Sequence, residues 1–138
     1  MHKSKLDRLL RVRTLQLGLI RADEARAQER FASEAALKGR IAQLAANIAP
    51  APTDTHAFSI IAAAHFRERL QISAEAADNR LRMAEQGMER AAAASREAKR
   101  DQSAIEKLLS RADAEAALKA IRALEVAPPS RKIRHDPC

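Results

Sequence analysis

The side chains able to do chemistry are few and scattered. Four histidines (His2, His56, His65 and His135) and one cysteine (Cys138) are the candidate metal ligands or nucleophiles. No two histidines stand four apart on a helix, no HExxH or CxxC occurs, and the lone cysteine has no second thiol for a zinc or redox pair. His135 and Cys138 share the same closing segment, but two ligands fall short of the four that a structural zinc site uses, so no metal site is expected. The 18 Asp and Glu are interspersed with 25 Lys and Arg. Paired carboxylates would therefore lie on a solvated surface, with no cleft to shift one pKa against the other. Neither a cofactor nor catalysis is expected of this chain.

The elements that must carry these residues are helices. Ala, Glu, Lys, Leu and Arg make up 82 of 138 residues, and 32 of these are Ala, a composition typical of long helices and coiled coils. Leu, Ile, Val and Phe together number only 28, with no Tyr or Trp, too few for a thick globular core. The chain lacks the β-branched and aromatic runs of sheets and the Gly-rich loops that cradle phosphates, so an α/β enzyme is excluded. No stretch of 18 apolar residues could span a bilayer, and the basic start is followed by Leu interleaved with Arg rather than a continuous apolar signal core. With a single cysteine, the expectation is a soluble, cytoplasmic protein in a reducing compartment.

The net charge of +7 is concentrated at the two ends. Residues 1–22 hold six Lys or Arg against one acid, residues 128–138 hold three against one, and the long middle balances sixteen against sixteen. Mixed signs in the middle suit a solvated helical surface supported by i,i+4 pairs, while the basic start calls for an acidic partner. Nucleic acid fits poorly as that partner, because the basic start holds no aromatic to stack on bases and its arginines alternate with leucines that need burial.

The spacing predicts an all-α antiparallel coiled-coil hairpin within residues 1–127. A first helix runs from about 4 to 47, introduced by Ser4 and Asp7 in capping-box form, and Pro50 and Pro52 enforce a turn over 49–55. A second helix runs from about 55 to 125 and ends before Pro128 and Pro129. The closing residues 128–138 are expected to be a disordered basic tail. Ser103 with Glu106 and Ser110 with Asp113 also have capping form, so a kink between 101 and 112 stands as an alternative. Gly18, Gly39 and Gly87 mark either close helix contacts or tolerated surface positions.

The second helix carries a seam at alternating spacings of four and three, with a single extra four-residue step near Leu81: Phe66, Leu70, Ser73, Ala77, Leu81, Ala84, Met88, Ala91, Ser95, Ala98, Gln102, Ile105, Leu109, Ala112 and Ala116. The first helix offers a noisier stripe through Leu6, Leu10, Leu17, Ile20, Ala27, Phe31, Ile41, Ala45 and Ile48, interrupted by Arg13, Glu24 and Lys38. A tight turn setting Asn47 opposite Thr55 places Phe31 beside Leu70, Ile20 beside Leu81 and Ser4 beside Ala98. The second helix then overhangs the first from Asp101 to Leu124, exposing Ile105, Leu108, Leu109, Leu118, Ile121 and Leu124. A monomer leaves such a stripe for something else to cover. Just after the turn, Phe58, Ile60, Ile61 and Phe66 either staple the hairpin tip against Leu44 and Ile48 or form a docking patch rimmed by Arg67 and Arg69.

The opening LDRLLRVRTLQ within Lys5 to Glu34, the Ala- and Glu-rich helix that follows it, the length near 140 and the closing run EAKRDQSAIEKLLSRADAEAALKAI resemble the FliJ/YscO family, small coiled-coil proteins of flagellar and type III secretion export. The resemblance spans nearly the whole chain through pattern more than identities. It implies a protein similar to the central stalk of rotary ATPases, whose free end enters the hexameric export ATPase, promotes ring assembly and links it to the membrane export gate, with escort of export chaperones as a further role. The inserted end would then comprise Leu6, Leu9, Leu10, Arg11, Arg13 and Leu17 with Ile105, Leu109, Leu118 and Ile121, on a monomer lying peripherally at the inner membrane export apparatus. The family's gate-binding surface does not map onto particular residues here. The rival readings are a homo-oligomeric structural coiled coil and a basic nucleic-acid accessory protein.

Overall fold

A computed structural model describes residues 3–48 and 57–129, with side chains described from residue 60 onward in the second segment. Two α-helices, α1 (Lys3–Asn47) and α2 (Ala57–Val126), pack along each other as an all-α antiparallel hairpin. The turn over 49–55, the Phe58 side chain and the tail from residue 130 lie outside the described residues. At 45 and 70 residues, the helices are about 68 and 105 Å long. α2 is continuous through 101–112, so the two Ser-led capping pairs do not break it.

No third layer covers the hairpin. The chain exposes 11860 Å², where a compact fold of this mass would expose about 7,000 Å². Among the described residues the buried set is Leu6, Leu17, Ala77, Ala84, Ile105, Leu109 and Gln102. It lies on the expected seam: from Leu70 to Ala112 the seam positions of α2 are buried or half-buried, with Ala74 in place of Ser73. One compact cluster forms near the chain's start, where Leu6, Ile105 and Leu109 pack together with Leu10 and Ala112 against them.

The register differs from the tight-turn expectation. Lys3 pairs with Asp113 at 2.7 Å, Arg13 with Asp101 at 3.5 Å, Glu34 with Arg80 at 3.3 Å and Lys38 with Asp78 at 2.7 Å, while Gln102 Nε2 donates to Thr14 Oγ1 at 3.1 Å. In each pair the two residue numbers add to between 114 and 116, whereas Asn47 opposite Thr55 requires about 102. Phe31 therefore stands opposite Ala84 rather than Leu70, and Ile20 opposite Ser95 rather than Leu81. At the far end Arg67 Nη2 donates to the Ile48 carbonyl at 3.3 Å, which makes Arg67 level with the last turn of α1.

Burial explains the shift. In the tight-turn register Leu6 would stand level with Arg96, and Ile105 and Leu109 would stay in water. In the observed one both are buried against Leu6, each contributing roughly 1.5–3 kcal/mol relative to exposure. Large side chains of α1 also fall opposite small ones of α2, Phe31 at Ala84 and Leu17 at Ala98. Nine residues, 48–56, connect the helices, and an extended segment of that length reaches about 30 Å, enough to let α2 begin beyond the end of α1. The longer α2 thus projects at both ends, with 57–66 past Asn47 and 114–126 past Lys3.

Polar residues in the seam point the same way. Arg13 and Lys38, which interrupt the α1 stripe, turn outward to Asp101 and Asp78. Glu34 keeps one carboxylate oxygen buried beside Arg80 Nε, an ion pair without hydrogen-bond alignment. Buried Gln102 is satisfied on both sides, donating to Thr14 and accepting from Lys99 Nζ at 2.9 Å. Polar seam residues of this kind specify register more than they stabilise. A Cβ added at Gly18, Gly39 or Gly87 would meet nothing within 4 Å, so none marks a close helix contact.

Candidate functional site

The expected inserted end divides into two groups once the register is known. Leu6, Leu17, Ile105 and Leu109 are buried inside the hairpin and Leu10 packs against them, so they build the base rather than present it to a partner. Arg13 is held by Asp101 and by Gln16 Oε1 at 3.3 Å. Leu9, Arg11, Leu118 and Ile121 remain exposed. The overhang correspondingly begins near Ala114, not Asp101, because α1 covers α2 as far as the Lys3–Asp113 pair.

Residues 114–126 form about 20 Å of helix beyond the last cover of α1. Leu118 and Ile121 are about half exposed, and Leu124 and Val126 are 76% and 84% exposed. These side chains do not continue the internal seam. Leu118 follows Leu109 by about two and a half turns and Ile121 by about three and a third, which rotates Leu118, Ile121 and Leu124 together, with Ala114 and Ala117, onto a different side of α2. Glu115, Lys119, Arg122 and Glu125 flank the stripe with balanced charge. Such a stripe fits an apolar groove or another helix.

The cationic surface at this end has more members than the first helix supplies. A shallow groove between the helices is lined by Arg21 and Glu24 from α1 and by Ser95, Arg96, Lys99 and Arg100 from α2. The charge count of the middle of the chain hides these α2 residues, since their acids balance them elsewhere along the rod; only the register brings four basic side chains to one groove with a single acid. At the base Asp113 receives a hydrogen bond from Lys3 and, with its charge, holds the lysine above its ordinary pKa. Both groups are more than half exposed.

At the other end the described tip residues are largely exposed. Ile60, Ile61 and Phe66 are 57%, 68% and 51% exposed, and Leu44 is 51% exposed. The register is the cause, since it sets residues 57–66 beyond Asn47, out of reach of Leu44. His65 lies 3.6 Å from Glu68 one turn on. Among the described residues no group of three His, Cys, Asp or Glu converges to hold a metal, and no helix is long and apolar enough to cross a membrane. Neither a protein-family model nor a curated protein nor a solved structure matches the chain.

Proposed function

We propose that this protein is a non-catalytic docking rod of the FliJ/YscO kind, which inserts its base into the hexameric export ATPase, promotes ring assembly and links the ring to the export gate, with chaperone escort as an accessory role. The observation that carries this reading is the overhang 114–126: an apolar stripe through Leu118, Ile121 and Leu124 that no other described residue covers, at the end where the cationic start of α1 also lies. A slim two-helix rod matches the shape such a role needs, and a satisfied, ion-paired base gives a stiff mount for the free turns. Of the residues implied by the resemblance, Leu9, Arg11, Leu118 and Ile121 are the ones free to touch the ATPase. Leu6, Leu10, Leu17, Ile105 and Leu109 would act by keeping the mount closed.

Pull-down of the export ATPase by the tagged full chain tests this reading. Wild-type protein should retain the ATPase and raise the hexamer fraction, Leu118→Asp with Ile121→Asp should abolish both, and helical circular dichroism should be unchanged because both side chains are exposed. Retention by the double variant at the wild-type level would refute it. The same exposed stripe favours one rival, a homo-oligomer in which two overhangs pair. Light scattering at micromolar concentration separates the two, with the docking rod at the mass of one chain and the structural coiled coil at two or more.

A further inference from the structure

The outward side of α1 near its start is used neither by the hairpin nor by the overhang. Val12, Leu15 and Leu19 follow one another at spacings of three and four, which places them on one side of the helix, and they are 45%, 71% and 69% exposed. Ala22 continues the line, and Gly18 beside it opens onto empty space. Lys5, Arg8 and Arg11 border the patch, exposed and without an ion pair among the described residues, and no acid occurs from Arg8 to Ala22. The patch is thus apolar at its centre, predominantly positive at its margin and convex, with Asp7 and Asp23 as the acids nearest its two ends.

These features select among occupants. A second copy meeting this face would bring like charges together, which costs binding. A partner helix in a coiled coil is chosen by alternating signs beside the apolar line, and here Lys5, Arg8 and Arg11 outweigh the single Asp7, with no acid from Arg8 to Ala22. Nucleic acid would use the arginines but has no use for exposed aliphatic side chains, and no aromatic is at hand to stack on bases. A bilayer with anionic headgroups uses both parts: shallow burial of Val12, Leu15 and Leu19 among the acyl chains, and attraction of Lys5, Arg8 and Arg11 to the negative surface. We propose that this face of α1 rests on an anionic membrane surface, so that the rod lies along the bilayer through α1 while α2 faces away. The proposal does not depend on the export reading; its residues other than Arg11 lie outside the set assigned to the ATPase.

The test is sedimentation of the full chain with vesicles of equal parts phosphatidylcholine and phosphatidylglycerol, against vesicles of phosphatidylcholine alone. Binding is expected to the anionic vesicles and to be weaker by about tenfold or more on the neutral ones, with Lys5→Glu/Arg8→Glu, and with Leu15→Ser/Leu19→Ser. A second measurement stands free of any change in folding: the chain has no Trp, so Leu15→Trp introduces a sole indole whose emission should shift to the blue on adding anionic vesicles. Absence of binding, equal binding to neutral vesicles, or an unshifted indole would overturn the proposal. So would loss in the charge variant with full binding by the serine variant, which would mark a purely electrostatic patch for an acidic protein or nucleic acid.

Discussion

Leu109 and Ile121 lie on the same helix, about 18 Å apart along its axis, in similar Ala-rich surroundings, yet Leu109 is 9% exposed and Ile121 is 52% exposed. The difference is the presence of α1. Beside Leu109 the first helix supplies Leu6 and Leu10; beside Ile121 α1 supplies nothing, because it ends level with Asp113. Two stretches of one sequence pattern thus have opposite jobs, one holding the hairpin shut and the other offering apolar surface outward. Register, not composition, decides which is which.

Substitution separates the two stretches most sharply. Leu109→Ala is expected to cost about 3 kcal/mol of stability, because it leaves a gap against Leu6 and Ile105 that a two-helix core closes incompletely. Ile121→Ala should stay within about 0.5 kcal/mol, as for exposed positions generally. Chemical denaturation of both variants checks this, and equal losses would mean that the overhang is packed in solution. A smaller effect is expected from enlarging a seam alanine. Ala77 is fully buried, so Ala77→Leu should destabilise by about 1–3 kcal/mol through overpacking, whereas Ala114→Leu, on the overhang, should be tolerated and leave the melting temperature unchanged.

The smallest effects belong to the exposed ion pairs that mark the register. The hydrogen bond from Lys38 holds the Asp78 carboxyl below its ordinary range, with the charges of Lys38 and Arg82 adding to it against a desolvation effect of opposite sign. A carboxyl lowered on folding stabilises above the ordinary carboxylate range and loses that contribution as pH falls through its lowered value. Lys3, raised by Asp113, behaves in the opposite sense: its contribution is present below the ordinary lysine value and is lost as pH rises through the raised one. Asp78→Asn should therefore flatten the acid limb of the stability curve slightly, measured as melting temperature from neutral to acidic pH, and added salt should shrink the difference between variant and wild type. An unchanged acid limb would remove Lys38–Asp78 from the set of pairs that hold the register.

Much of the architecture was readable from residue spacing. Two prolines after Asn47 and two more after Val126 punctuate the helices, and the four-and-three alternation from Leu70 to Ala112 picks out the face that is buried. The register was not readable, because an Ala-rich seam accepts many offsets with nearly equal fit: the offset that pairs Phe31 with Leu70 looks as consistent on paper as the one that sets Phe31 against Ala84. What distinguishes them is burial of Ile105 and Leu109 together with cross-helix partners for Arg13 and Lys38, which look like interruptions until their acids on α2 are opposite them, and for Glu34. The candidate site inherited the same uncertainty. Leu118 and Ile121 fall beyond α1 in either register, while Ile105 and Leu109 join the same exposed stripe only if a tight turn draws α1 back from them. The groove formed by Arg21, Arg96, Lys99 and Arg100 was invisible for a related reason, since no count along one chain shows which two segments lie side by side.

The central claim is the register that closes the base at Leu6, Ile105 and Leu109 and frees residues 114–126. With Cys138 replaced by Ser, spin labels on Arg13→Cys and Asp101→Cys would report it by dipolar distance measurement. The observed pairing sets these two backbones at neighbouring-helix separation, about 10 Å, and a narrow short distance is expected. A distribution displaced by about 10 Å, with backbones more than about 20 Å apart along and across the rod, would mean that α1 pairs nearer the start of α2, that Ile105 and Leu109 are exposed, and that the docking end begins well before Ala114.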